Sequence, residues 1–457
     1  MEPLLVSRRA ALKAAVGAAA ATAAVAVPAT AAFAKKPPSS GHDKDHVLFW
    51  NGTPLMDAFR QFGGHPGPLS RGGAMMNLAI YDALNSIQAI GKPYRLKVAK
   101  VAGRYGAVNA AVDWAAYEAL KAAYPNLNFD EEFAAARALT PLANPADERL
   151  GRELGKATAA AIVADRQDDG SADNTPYTPI MVPGHWRPGP APGLVGLGPN
   201  WGRVKPFGLQ SPGQFDPPAF PYGYTSVQDF LLSPEYTAGV HAIHDMGGLM
   251  STMRTADQTE IARYWANDLD GTYKPVGHQY VHALEIYKVL VPQGNSFDSA
   301  RLFALTSIAL ADGAIAVWNS KYERSVDLWR PHHSIHLADQ DGNPNTEVDM
   351  MWRPLSSNRT GGPLTPQFPA FTSGHTGIAA AWGGAMQAYF GTDEVSWSAG
   401  TDDPAAPGVV RSFTSISQSV QEKADSRFYC GVHFIWDNTY ALDLGAKVAD
   451  YIVANTI

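Results

Sequence analysis

The stretch RLFALTSIALADGAIAVWNSKY, residues 301–322, decides the fold. Its apolar residues recur at three- and four-residue spacing from end to end, which predicts one long helix. The stretch is also the best candidate for a membrane span, but Asp312 interrupts the run of about 18 uncharged apolar residues that a span needs. We therefore expect a buried core helix here and no membrane span in the mature chain.

The same helical periodicity continues on both sides of this stretch. Some of the periodic segments begin after a polar capping residue, as at Asn144 and Thr255. No alternating run with hairpin turn signals stands out, so the sequence predicts an all-α fold. The other predicted helices are residues 73–90, 106–123, 147–165, 234–246, 256–265, 279–291, 376–390 and 434–454.

Residues 170–223 interrupt the helical pattern. They hold 12 prolines and 10 glycines among 54 residues, which excludes regular helix and central strand. The segment is also too aromatic for a solvated linker, so we expect an ordered wrapping loop that forms one wall of a cleft. It is the only plausible internal boundary and divides the chain into helical regions at 45–225 and 226–457. The aromatic residues are Trp186, Trp201, Phe207, Phe215, Phe220 and Tyr222.

Composition excludes several classes of protein. The 457 residues suffice for an ample core, and a formal net charge of −7 without a long basic run argues against a nucleic-acid partner. The single cysteine, Cys430, excludes an internal disulfide framework, a cysteine-rich zinc module and an iron–sulfur cluster. Any chemistry must therefore rest on histidine, arginine, lysine and carboxylate.

Residues 1–34 have the pattern of an export signal. Arg8 and Arg9 precede an Ala- and Val-rich run, and the small residues Ala32 and Ala34 mark a cleavage site. The paired arginines resemble a twin-arginine signal. We expect export to the periplasm or the medium; the alternative is a helical membrane anchor.

Three segments between Lys321 and Asp437 carry the suggestive chemistry. In one of them, Ser373, Gly374 and His375 stand directly before a predicted helix. A hydroxyl and free backbone N–H groups at a helix start can bind an anion, and glycine lets the anion approach closely. His375 beside that anion could exchange a proton near neutral pH. The alternative is a chance Ser-Gly-His sequence, which is common.

Another segment places Asp437 four residues after His433, hence on one face of a helix. A carboxylate there fixes the histidine tautomer and leaves the other ring nitrogen as a nucleophile or ligand. Arg427 would point away on an unbroken helix, but Gly431 offers a break. The alternative is a surface arginine and a buried histidine paired with aspartate.

Lys321 and Arg330 supply two more cations. Nine residues apart on a continuous helix they would diverge. Pro331 disfavours helical geometry at Arg330, so the helix should end earlier and Arg330 should approach from a loop. Three cations around one site suit a multiply charged oxyanion; the alternative is two ordinary surface cations.

In this order, the three segments resemble the signature of the vanadium-dependent haloperoxidase and type-2 phosphatidic acid phosphatase superfamily. The third matches fully, as Ser-Arg, three residues, Gly, one residue, His, three residues and Asp. The second departs only at Thr372, where proline is commoner. In the first, eight residues separate Lys321 from Arg330, two more than is usual, and Arg324 is a fallback cation. Flanking segments such as Trp201-Gly-Arg-Val-Lys-Pro-Phe resemble the soluble bacterial haloperoxidases, and the resemblance covers roughly residues 45–457.

The resemblance implies two helical bundles with the oxyanion site in the C-terminal one, and vanadate as the cofactor. His433 would bind vanadium, His375 would be the acid–base residue and Asp437 the partner of His433. Phe368 stands where a choice between Phe and His is linked to halide preference. The oxygens of vanadate would be held by Lys321, Arg330, Ser373, Gly374 and Arg427.

The implied activity is halide oxidation by hydrogen peroxide to a hypohalous species that halogenates a small organic acceptor, with Lys321 polarising the peroxide. Because vanadate and phosphate are both tetrahedral, the alternative is a soluble exported acid phosphatase with His433 as nucleophile. A non-catalytic oxyanion-binding protein is a third possibility, because the Lys–Arg spacing is altered. Halide, acceptor and oligomeric state stay open, and a homo-oligomer is as compatible as a monomer.

Overall fold

A computed structural model describes residues 41–189, 193–323 and 326–457. Of the described residues 57% are helical, which confirms the all-α prediction. The export signal predicted at residues 1–34 and the fallback cation Arg324 lie outside the described residues. The α-helices are α1 (His46–Asn51), α2 (Thr53–Phe62), α3 (Pro66–Ile87), α4 (Val108–Ala123), α5 (Asp130–Ala138), α6 (Pro145–Arg166), α7 (Val227–Leu231), α8 (Pro234–Gly247), α9 (Ala256–Ala266), α10 (Lys274–Leu290), α11 (Ser296–Tyr322), α12 (Pro331–His336), α13 (Gly374–Phe390), α14 (Ile416–Tyr429) and α15 (Ile435–Asn455).

Helix α11 is the centre of the fold, as its sequence predicts. It packs against α3 on one side and against α13 on the other, and α13 packs in turn against α15. Among the described residues α11 alone is long and apolar enough to cross a membrane, and 94% of its most apolar window is buried inside the fold. Where α13 meets α15, a Cβ on Gly445 would lie 2.3 Å from the Gly377 carbonyl oxygen, so glycine permits this close approach.

All nine predicted helices are present, with ends shifted by at most seven residues. The cap at Asn144 is confirmed, because its side chain accepts from the N–H groups of Ala146 and Asp147. Thr255 and Gln258 form a full capping box. The short helices α1, α2, α5, α7 and α12, together with α14, are additional to the prediction.

One antiparallel hairpin, β1 (Glu394–Gly400) and β2 (Val410–Ser415), is also additional. Val395, Trp397 and Ala399 alternate inward along β1. The loop between the strands is too long for a tight-turn signal, which explains why the alternation alone did not reveal a hairpin.

The segment 170–223 is an ordered loop that contains no α-helix or strand within its described residues. Trp186 is fully buried, and its backbone N–H donates to the Asp327 carbonyl at 2.6 Å. Leu197 donates to the Gln367 carbonyl at 2.8 Å, so the loop lies against the backbone near both Arg330 and Phe368. The domain boundary near residue 225 stays a prediction.

Asp312, the charge inside α11, is explained by this loop. Its carboxylate accepts the backbone N–H groups of Phe207, Gly208 and Leu209 at 2.6, 2.7 and 2.8 Å. Burial raises the pKa of Asp312 to about 6, although these three hydrogen bonds oppose the shift. The buried carboxylate therefore fixes the wrapping loop to the central helix.

Candidate active site

Gly431 separates the helix that carries Arg427 from the segment that carries His433. Helix α14 ends at Tyr429, Gly431 has a φ of 76°, and α15 begins only at Ile435. His433 therefore precedes α15, which corrects the expectation that His433 and Asp437 share one helix. Across this break the backbone N–H of His433 donates to the Arg427 carbonyl at 3.3 Å, so the His433 segment lies against the end of α14.

Asp437 nevertheless reaches His433 from the first turn of α15. Its Oδ2 lies 3.0 Å from His433 Nδ1 and accepts the Phe434 N–H at 3.0 Å. Arg330 Nη1 lies 2.9 Å from His433 Nε2. Because arginine can only donate, Nε2 bears the lone pair and Nδ1–H donates to Asp437. The site thus holds the tautomer that presents Nε2 as a ligand or nucleophile.

The two partners of this hydrogen bond have shifted pKa values. Burial lowers the pKa of His433 well below its usual value, and the charges of Arg330, Lys321 and Arg427 lower it further. Burial raises the pKa of Asp437 to about 7, against the opposing charges of Lys321 and Arg330. His433 is therefore neutral at physiological pH.

Arg330 is fully buried and only partly engaged. It precedes Pro331 as the capping residue of α12, so it approaches from a loop as the proline predicts. Its Nε donates to the Phe368 carbonyl at 2.9 Å and its Nη1 to the Val432 carbonyl at 2.7 Å. Within the described part of the chain Nη2 has no hydrogen-bond partner. Burial lowers the pKa of Arg330 to about 9.

Lys321 lies in the last turn of α11 and is also fully buried. Its Nζ donates to the carbonyl oxygens of Pro369 at 2.8 Å, of Ala370 at 3.1 Å and of Thr372. All three ammonium protons are thus engaged, and one must be released before Lys321 can hold another oxygen. Burial lowers its pKa well below the usual value, and the charge of Arg330 adds to this effect.

The longer Lys321–Arg330 spacing still brings both cations to one aromatic ring. Lys321 Nζ lies 5.2 Å and Arg330 Cζ lies 4.9 Å from the centre of the Phe368 ring. The two side chains do not diverge because α11 ends at Tyr322. Phe368 therefore packs against both cations, where its quadrupole favours positive charge.

Ser373 and Gly374 lie at the start of α13, as expected. Ser373 is the capping residue, but its hydroxyl makes no cap hydrogen bond and instead lies 2.9 Å from the Thr376 hydroxyl. The first N–H groups of α13 lack partners within the helix, so this end presents donors and the positive end of the helix dipole. The Ser373 N–H donates to the Asp437 carbonyl at 3.0 Å, which joins this helix start to the His433 segment.

His375 and Arg427 meet at a carboxylate that the motifs do not contain. Asp268 Oδ2 accepts Arg427 Nη2 at 2.8 Å, and Asp268 Oδ1 lies 3.6 Å from His375 Nε2. His375 Nε2 also lies 2.9 Å from the Ala266 carbonyl oxygen, which can only accept, so Nε2 carries the proton and Nδ1 the lone pair. Burial lowers the pKa of His375 well below its usual value, and the Arg427 charge lowers it further.

Arg427 is fully buried, and its guanidinium group can donate further hydrogen bonds. Burial opposes its charge, but Asp268 outweighs this and raises its pKa. Its Nε and Nη1 have no hydrogen-bond partner among the described residues. Together with Arg330 Nη2, these are buried N–H groups available to an acceptor.

Lys423 is a further buried cation that sequence reasoning missed. It lies one helical turn before Arg427 and donates to the Pro275 carbonyl at 2.8 Å and to Gln279 Oε1. Neither Lys423 nor Asp268 belongs to a local motif, and the partner of Asp268 is 159 residues away. No signal in a single sequence points to such a distant pair.

These residues fit an oxyanion. The contacts described above bring together three kinds of group. These are the unpartnered N–H groups of Arg330 and Arg427 among the described residues, the first turn of α13, and the lone pair of His433 Nε2. An anion among Lys321, Arg330 and Arg427 would favour their charged forms. Among the described residues, no group of three or more His, Cys, Asp or Glu side chains could hold a metal ion. A metal held in an oxyanion, by one histidine and its own oxygens, does not need such a group.

The fold is α-helical, and its buried site has side chains and backbone N–H groups that could hold an oxyanion. Residues 301–456 match the family model described as the second helical-bundle domain of vanadium chloroperoxidase. The vanadium chloroperoxidase of Curvularia inaequalis is 30% identical over an alignment of 258 residues that covers 46% of this chain and 41% of that protein. The chain therefore aligns with less than half the length of this curated relative.

Solved structures extend the likeness of the fold to most of the chain. A bacterial vanadium-dependent iodoperoxidase superimposes with a TM-score of 0.72 and 21% identity, over 93% of this chain and 99% of that one. A holo-type bacterial vanadium-dependent chloroperoxidase superimposes with a TM-score of 0.65 and 17% identity, over 92% and 94%. The resemblance to vanadium-dependent haloperoxidases is thereby confirmed. The phosphatase alternative is not favoured.

Proposed function

We propose that this protein is a vanadate-dependent haloperoxidase that oxidises a halide with hydrogen peroxide and so halogenates a small organic acceptor. One observation carries the proposal: His433 presents an unprotonated Nε2 at Arg330, in a buried site where Arg330 and Arg427 keep unpartnered N–H groups. The named relatives support the same activity.

Each residue has a task in this proposal. His433 Nε2 would hold the vanadium, in place of its contact with Arg330. Bound vanadate supplies a Lewis acid that activates peroxide toward a halide. His375 takes a proton from the incoming peroxide at Nδ1, since its Nε2–H is held by the Ala266 carbonyl. The vanadate oxygens would be held by Lys321, Arg330, Arg427, the Ser373 hydroxyl and the Gly374 N–H.

An aromatic pair and a cavity adjoin the site. Phe368 and Trp318 pack with ring centres 5.0 Å apart. Asp268 and Ala266 line a cavity of about 310 Å³, hereafter the Asp268 cavity. Because both residues contact His375, this cavity is the proposed route for peroxide, halide and product.

The test is one assay, run with and without orthovanadate after dialysis against a chelator. Bromination of a phenolic dye that needs both vanadate and peroxide supports the proposal. Vanadate-inhibited release of phosphate without any halogenation contradicts it. His433→Ala should abolish the activity while leaving a folded protein.

Export through a twin-arginine signal is a separate proposal. It rests on the order of charge, apolar run and small residues in 1–34. Replacing Arg8 and Arg9 together by lysine should retain the protein in the cytoplasm of a bacterial host, whereas the unchanged chain should leave it. Equal export of both would contradict the proposal.

A further inference from the structure

Three exposed methionines line one groove outside the candidate site. Met250, Met253 and Met351 are 86%, 63% and 80% exposed, and all three line one groove of about 350 Å³. We call this the methionine groove. Methionine is usually buried in globular proteins, so three exposed thioethers in one groove are unusual.

The methionine groove is built on a fixed turn. The Leu249 N–H donates to the Arg353 carbonyl at 2.7 Å, which joins the two chain segments that carry the methionines. Arg254 Nη1 donates to the Gly248 carbonyl at 2.9 Å and to the Tyr429 carbonyl at 3.3 Å. Since Tyr429 ends the helix that carries Arg427, the groove is attached directly to the site's own framework.

The methionine groove also adjoins the Asp268 cavity. Leu249 lines both. A molecule that leaves the site past Asp268 and Leu249 therefore emerges beside the methionine groove. Cys430 lines the same cavity, but it is 2% exposed and burial raises its pKa to about 11, so its thiol is protonated and shielded.

We propose that Met250, Met253 and Met351 form an oxidation site that reduces the hypohalous acid released by the candidate active site. The inference rests on the proposed function, which supplies the oxidant. The thioether sulfur attacks the halogen of HOX, and water then replaces the halogen on sulfur. One sulfoxide, one halide ion and one proton result, so sulfur loses two electrons and the halogen gains them. The reaction protects the protein and returns halide to the vicinity of the site.

Met181 is the matched control. It is 65% exposed, as much as Met253, but it lies on the wrapping loop and does not line the methionine groove. Hypohalous acid in bulk solution should therefore oxidise Met181 as readily as the groove methionines. Oxidant that emerges from the Asp268 cavity past Leu249 should instead oxidise the groove methionines faster than Met181.

The experiment uses the vanadate-loaded full protein with limiting peroxide and bromide, followed by peptide mapping of methionine sulfoxide. Samples without bromide give the background from peroxide alone. During turnover we expect the groove methionines to gain oxygen at least fivefold faster than Met181, and excess free methionine should suppress oxidation of Met181 only. Reagent hypobromite, added without turnover, should oxidise all four at similar rates.

Equal oxidation of Met181 and the groove methionines during turnover overturns this inference, and so does an absence of sulfoxide in the groove. In both cases bromination of the dye in the same samples would leave the proposed function intact. Absence of dye bromination, in contrast, identifies failure of the proposed function itself.

Discussion

The chemistry of the site depends on which nitrogen of His433 carries the proton, and Asp437 decides this. In Asp437→Asn the amide can present its NH₂ group to Nδ1, so the fixed tautomer is lost. We expect vanadate affinity to fall about 10- to 100-fold, the usual cost of losing such a partner. The measurement is the vanadate concentration that gives half-maximal halogenation.

The matched control is Asp443→Asn. Asp443 lies on the same helix but is 57% exposed, and among the described residues its ion-pair partner is Lys447, so its removal should leave vanadate affinity unchanged. Equal affinity in Asp437→Asn and the unchanged protein would show that the carboxylate does not orient His433.

At this scale the sequence predicts the parts of the site that are close along the chain. Ser373, Gly374 and His375 are adjacent, and Asp437 follows His433 by four residues, so backbone geometry alone brings each set together. Asp268 and Lys423 escape prediction because each contacts residues that are distant along the chain. A pairwise contact between distant residues leaves no trace in the spacing of one sequence.

Among the elements, the turn between α14 and α15 depends on a glycine. Gly431 has a φ of 76°, and a Cβ there would lie 2.4 Å from the Gly247 carbonyl oxygen. In Gly431→Ala we expect both the left-handed conformation and the clash to reduce the free energy of unfolding, by about 3 kcal/mol or more. Chemical denaturation measures this, and vanadate affinity should fall as well because Arg427 and His433 flank the turn.

Gly408→Ala separates the two causes. Its φ is 73°, but nothing lies within 4 Å of an added Cβ, so only the conformational cost of about 1–2 kcal/mol is expected. If both variants lose the same stability, the close approach of Gly247 contributes nothing.

The contact between α11 and the wrapping loop should make stability depend on pH. The pKa of Asp312 is about 6 in the folded protein and 3.8 in its unperturbed state, so the folded protein holds the extra proton between these values. Protonated Asp312 therefore makes its full contribution to the free energy of unfolding below about pH 4. This contribution, up to about 3 kcal/mol, is lost as the pH rises to about 6.

Asp312→Asn removes this titration. We expect the variant to be less stable at every pH, because one amide cannot accept all three N–H groups. The gap to the unchanged protein should narrow between pH 4 and pH 7, as followed by urea denaturation. A gap that widens with pH would show that Asp312 is favoured in its ionised form.

Helices follow from the sequence where periodicity is long, as in α11, and less well where a short element depends on its neighbours. Helix α12 has six residues and begins at Pro331, so periodicity has too few turns to register. The side chains of β1 alternate clearly between exposed and buried positions, but the partner strand β2 follows only after a long loop. Tertiary packing, rather than local propensity, decides these elements.

Taken as a whole, the molecule assembles its site from four separate regions. Lys321 lies in the last turn of α11, Arg330 caps α12, Ser373 caps α13, and Arg427 and His433 lie on either side of the break before α15. A ligand held by all of them binds only the folded state and must therefore oppose global unfolding. At a vanadate concentration 100 times the dissociation constant, this stabilisation is about 2.7 kcal/mol. We expect a rise of a few degrees in the unfolding midpoint, measured by calorimetry without peroxide or halide.

The controls for this measurement separate the site from general ion effects. Sulfate at equal ionic strength should produce a much smaller rise, because it cannot accept His433 as a ligand. Phosphate shares the tetrahedral shape of vanadate and should compete with it. In His433→Ala the rise with vanadate should disappear, since the nitrogen that distinguishes vanadate from sulfate is gone. An equal rise with sulfate, or in that variant, would mean that vanadate acts elsewhere and that the four regions do not form one ligand site.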